Sequence, residues 1–89
     1  MSRPKREAPN ASSDSWPDAR CADPTAEVMR RLAVNLRTAI GGRSIRLVER
    51  ETGVDHTLIG KLLAGSAWVE AATVARLEKG LGVSLWPGR

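Results

Sequence analysis

The sequence predicts an all-α fold, a compact bundle of four to five short helices. Three observations predict it. Apolar residues recur at helical spacing wherever they cluster. Ala, Leu, Arg and Glu are plentiful while Phe and Tyr are absent, a composition that favours helix. No stretch alternates apolar and polar residues as a half-buried strand would.

Eighty-nine residues suffice for one small domain of modest stability. Residues 1–22 carry Pro4, Pro9 and Pro17 among Ser, Asn, Asp and Arg, and little that is apolar besides Trp16. Such a segment has too little apolar surface to offset the entropy of ordering it, so it reads as a flexible, basic, proline-rich N-terminal arm. Its "RPKR" opening would serve solubility or touch a phosphate or a minor groove.

The domain then spans 23–89. Asp23 is a good N-cap and Pro24 suits the first helical position. Val28, Met29, Leu32, Ala33, Leu36, Ala39 and Ile40 form one apolar stripe from there, which Gly41-Gly42 ends. Ser44 caps a short second helix with Ile45, Val48 and Thr52 inward, and Gly53 stops it. Asp55 caps a third helix over about 56–64, ended by Gly65. A fourth runs from about Glu70 to Gly80, with Ala71, Val74, Leu77 and Leu81 inward, and Pro87 in the closing "GVSLWPGR" prevents further helix.

The third helix has two unlike sides. Leu58, Ile59, Leu62 and Leu63 gather on one, while Thr57, Gly60, Lys61 and Ala64 gather on the other with His56 at the flank. The polar side is nearly flat, because Gly60 and Ala64 are small. Small residues permit close approach to a groove, and a few polar groups among them can reach base edges. Two short helices joined by a glycine-containing turn make the helix-turn-helix unit, whose second helix lies in the major groove. Gly53 supplies the positive φ of that turn, and Val54 can plug the corner.

The stretch "SIRLVERETGVDHTLIGKLLAG" resembles the helix-turn-helix of phage-repressor-like regulators of the Cro-like, xenobiotic-response-element type. "TVARLEKGLGV" is similar to that family's fourth helix, and the closing "LWP" resembles the tails of small single-domain actinobacterial members. The resemblance spans roughly residues 28–83. It implies a lambda-repressor-like DNA-binding fold and a sequence-specific transcriptional regulator, a repressor, with double-stranded DNA as partner. His56, Thr57 and Lys61 then become the base-contacting residues. Arg43, Ser44, Arg46, Ala64 and Ser66 become the candidates for the DNA backbone, those at the second helix's N-terminus aided by free N–H groups that favour phosphate. Asp55 reads as a helix cap rather than a base reader.

Two positions depart from the family. Glu49 stands where the family has Ala and the helices touch, and it is expected to reach solvent or to pair with Arg46 or Arg50. Ile45 stands where the family often has Gln, which removes one expected DNA contact. Trp68 and Trp86 read as core caps or a dimer surface, and a homodimer joined through the tail at Leu85 and Trp86, or near Trp68, would multiply specificity.

Nothing in the sequence suggests an enzyme: it has one His, one Cys and no spaced carboxylate pair, so neither cofactor nor metal is expected. The single Cys21 allows no internal disulfide. With no leader-like apolar run and no membrane-length segment, a cytoplasmic, nucleoid-associated protein is expected. The alternative function is an antitoxin-type interaction module that binds a partner toxin and its own operator. The net charge of +4 is compatible with either.

Overall fold

The computed structural model describes residues 7–88. Four helices follow in order: α1 Pro24–Ile40, α2 Ile45–Thr52, α3 His56–Ala64 and α4 Ala71–Leu81. A short 3-10 turn, Pro9–Ser12, precedes them. The fold is an all-α bundle, as the periodicity predicts. No helix among the described residues is long and apolar enough to cross a membrane.

Each of the first three helices starts where a side chain can accept an orphan backbone N–H. Asp23 accepts from Ala26 N at 2.8 Å, Ser44 Oγ from Leu47 N at 3.1 Å, and Asp55 from Thr57 N at 3.0 Å. At the end of α1 the guanidinium of Arg43 covers the last carbonyls, donating to Ala39 O at 2.9 Å and Ile40 O at 3.3 Å.

The core takes one fully buried residue from each helix and one from the tail: Leu36, Val48, Ile59, Leu77 and Leu85. Each contributes about 1.5–3 kcal/mol by leaving water. In α4 the inward residues are Thr73, Val74 and Leu77, with Leu81 partly covered, whereas Ala71 is exposed. At 100° per residue Ala71 falls about 110° from the centre of that stripe, which corrects the expectation that it points inward. Gly80 lets α4 approach α2 backbone to backbone, because a Cβ there would stand 2.6 Å from the Glu51 carbonyl oxygen.

The tail is pinned rather than loose. Glu78 accepts the backbone N–H groups of Leu85 at 2.7 Å and Trp86 at 3.1 Å, and Asn35 donates to Leu85 O at 2.8 Å. Leu85 is therefore core and unavailable to a second copy, contrary to its expected place in a dimer surface.

The N-terminal arm also departs from expectation. Residues 7–22 form a strap packed on the bundle, not a flexible arm, while the "RPKR" basic cluster lies outside the described residues. Pro9 and Cys21 are buried, and a bridge between Ser13 and Cys21 closes the strap on itself. Arg30 of α1 holds it by donating to Pro17 O at 3.1 Å, and Cys21 N donates to Glu27 at 2.9 Å. Pro9, Trp16 and Cys21 are buried or half-buried, and hydrogen bonds from strap and bundle, most of them involving a side chain, hold the remainder.

Candidate nucleic-acid interface

The turn between α2 and α3 is three residues long, and each has one task. Gly53 takes the left-handed conformation at φ 74° that closes α2. Val54 is buried in the corner between the helices. Asp55 caps α3. Thr52 stiffens the entry, its hydroxyl donating to Val48 O at 2.7 Å and accepting from Val54 N at 3.2 Å. The break in the helical pattern thus becomes a fixed corner with little freedom to reorient α3.

Along α3, Ile59 and Leu62 are buried and Leu58 and Leu63 pack against the core, so the apolar side anchors the helix. Thr57, Lys61 and Ala64 are exposed on the opposite side, with the smaller Gly60 between them. Three of the expected DNA-facing residues are therefore brought onto one outward stripe. Lys61 and Arg46, the latter exposed on the first turn of α2, have no ion-pair partner among the described residues.

Other expected contacts are engaged within the chain. Arg43 pairs with Glu51 at 2.7 Å while capping α1, so its charge is partly spent before any phosphate arrives. The Ser44 hydroxyl serves as a cap acceptor and keeps its own proton to donate. The Ala64 carbonyl is taken by Asn10, whose side chain donates at 3.0 Å, although its methyl is exposed. Ser66 N donates to Lys61 O at 3.0 Å and its side chain stays exposed beyond the helix end.

Glu49, the residue that fits the family pattern least, pairs with neither Arg46 nor Arg50. Its Oε2 accepts the backbone N–H of His56 at 2.8 Å and lies 3.2 Å from His56 Nδ1. The bend at Gly53 and Val54 brings the start of α3 over the half-buried Glu49, and an uncapped N–H at that start attracts a carboxylate more strongly than a solvated arginine does. Glu49 thereby acts as a second cap for α3.

Asp55 is held below the ordinary aspartate range: slight desolvation pushes it up, but bonds from the Leu58 and Thr57 backbone and the neighbouring His56 outweigh that. Glu49, Asp55 and His56 place one donor atom each within 4.8 Å of one another. Both carboxylates are already satisfied by backbone N–H groups at the positive end of a helix, which accounts for the cluster without an ion.

At the other end of α3 the strap supplies groups that no motif signals. Trp16 Nε1 donates to Leu63 O at 2.9 Å, and Asn10 donates from its side chain to Ala64 O and from its backbone to Gly65 O, each at 3.0 Å. Three of the carbonyls that the end of α3 leaves open are satisfied in this way. Only the presence of one large apolar residue, Trp16, in a polar segment could have pointed there.

Compared with known proteins, the chain matches no family model, no curated protein and no solved structure.

Proposed function

We propose that this protein is a sequence-specific DNA-binding transcriptional regulator, acting as a repressor, that lays α3 in the major groove. The observation that carries this is the outward side of α3. It is exposed, low in profile at Gly60 and Ala64, furnished with Thr57 and Lys61, and fixed at both ends by Glu49 and Asp55 on one side and by the strap on the other. A helix held so firmly with so little bulk on its free side suits groove insertion better than solvent exposure. Arg46 and Ser44, at the N-terminus of α2, supply the backbone contacts, and Arg43 contributes less because Glu51 neutralises part of its charge.

The experiment is selection of duplexes from a random DNA pool, followed by binding of variants to the selected site. Thr57→Ala and Lys61→Ala should each relax choice at particular base pairs by about 1–3 kcal/mol, whereas Arg46→Ala should weaken all sequences alike. If the three variants behave identically, the roles assigned to them are wrong.

One observation favours the second function, a module that binds a partner protein. Val83 and Trp86 are each 42% exposed on the same short tail. A toxin-like partner or a second copy could cover them. If Trp86→Ala abolishes an interaction with a co-purifying protein but leaves DNA binding intact, the antitoxin-type function gains over a simple repressor.

A further inference from the structure

His56 opens α3, and its ring is tethered from one edge. Nδ1 lies 3.2 Å from Glu49 Oε2 and 3.8 Å from Asp55 Oδ1. The same Glu49 oxygen accepts the His56 backbone N–H at 2.8 Å, so the carboxylate is fixed relative to the ring by a second bond. A carboxylate only accepts, so in the neutral imidazole the proton must sit on Nδ1. Nε2, on the far edge of the ring, is then left with an unshared pair. It has no hydrogen-bond partner among the described residues, and the side chain is 37% exposed.

We infer that Glu49 sets the polarity of the first base contact: His56 presents Nε2 as a hydrogen-bond acceptor and selects a base whose major-groove edge carries an amine. This rests on the DNA-binding function proposed above. Cytosine offers N4–H and adenine N6–H to such an acceptor, whereas the major-groove edge of guanine offers only the acceptors O6 and N7. Glu49 touches no base and is a positioning residue. Without it the ring can carry its proton on Nε2 and accept either class of base, so the preference fades. The two carboxylates that face the ring, Glu49 from α2 and Asp55 from the turn, both act on Nδ1 and leave Nε2 to the ligand.

The test has two arms, and the first needs no DNA. His56 is the only histidine in the sequence, so its ring nitrogens are identified without ambiguity in a long-range 15N–1H correlation. At about pH 8.5, where free imidazole is neutral, the full chain should show a protonated Nδ1 and a bare Nε2. Glu49→Gln keeps a side-chain carbonyl to accept from Nδ1–H and should preserve that tautomer, while Glu49→Ala should shift it towards Nε2–H. A wild-type ring protonated on Nε2 overturns the inference.

The second arm is duplex selection at the same pH. His56→Ala and Glu49→Ala should both lose a preference of tenfold or more at one shared base pair, while Glu49→Gln retains it. N4-methylcytosine or N6-methyladenine in that pair, whose methyl replaces the groove-facing N–H, should weaken wild-type binding to a similar degree. Preferences at the other base pairs should survive in all three variants, which a merely structural role for Glu49 would not allow. Weaker wild-type binding when a 7-deazapurine removes N7 from that pair but leaves its amine in place, or a different base pair affected in each variant, overturns the inference. If the wild type selects no duplex at all, the DNA-binding function itself fails, and the first arm still decides the tautomer.

Discussion

The indole of Trp16 covers the Cα of Gly65 so closely that no side chain would fit between them. Gly65 also sits at φ 73°, a conformation that closes α3 and that glycine adopts without strain. One contact therefore joins the strap to the end of the helix proposed to enter DNA. Trp16→Ala removes both this packing and the hydrogen bond to Leu63 O, and should destabilise the chain by about 2–3 kcal/mol. Trp16→Phe, which keeps the ring but not the donor, should cost roughly half of that. Urea unfolding followed by circular dichroism checks both. Equal stability in wild type and Trp16→Ala would mean that the strap does not hold α3.

Glu49 makes a separate contribution at the other end of the helix. Its removal in Glu49→Ala leaves the His56 backbone N–H without its acceptor and should lower stability by about 1 kcal/mol, as loss of a cap does. Glu49→Gln should lose less. Amide exchange at His56 gives the local readout: protection should fall in the alanine variant and largely survive in the glutamine variant.

Gly80 tests the packing that supports α2 and, through the corner at Val54, the placement of α3. A methyl group there would meet the Glu51 carbonyl oxygen at 2.6 Å and Thr52 Cα at 2.7 Å, both backbone atoms that cannot swing aside. Gly80→Ala should therefore destabilise by about 1–3 kcal/mol, despite the gain in helix propensity. A stabilised variant in thermal unfolding would contradict the close approach.

Acid stability follows from Glu27. The Arg30 guanidinium donates to both of its carboxylate oxygens, at 2.8 and 2.6 Å, and holds the carboxyl down at about 2 against an ordinary value of 4.5. A carboxyl whose folded value is depressed adds stability that is present above the unfolded value and is lost as pH falls towards the folded one. The loss should thus run from about pH 4.5 down to about pH 2. Glu27→Gln should lower stability at neutral pH and flatten its dependence through that window, measured as urea midpoints at successive pH values. An unchanged acid profile would show that the ion pair does not stabilise the fold.

The helices were legible in the sequence because their signals are local. Asp23, Ser44 and Asp55 cap where they stand, Gly41, Gly53 and Gly65 mark the ends, and the stripes through Leu36, Ile59 and Leu77 point inward. The destination of Glu49 was not legible, since its partner is seven residues away across a turn and nearby arginines offered a simpler pairing. Nor was the strap. Its composition describes a chain that cannot bury much surface, and what orders it is the set of open carbonyls at Leu63, Ala64 and Gly65, about fifty residues later. For the same reason Arg43 looked free in the sequence, although Glu51 and the end of α1 claim it. Thr57, Lys61 and Ala64 were legible as an outward stripe because a helical wheel needs nothing beyond the helix itself.

Salt dependence tests the central claim most directly. The full chain, titrated onto duplex DNA from the selected pool over a range of salt concentrations, should bind with log K falling linearly against log salt. The slope should be about −0.9 for each phosphate contacted and should shrink in magnitude by about one in Arg46→Ala. A chain that shows no salt-sensitive binding to any duplex would contradict the placement of α3 in the major groove.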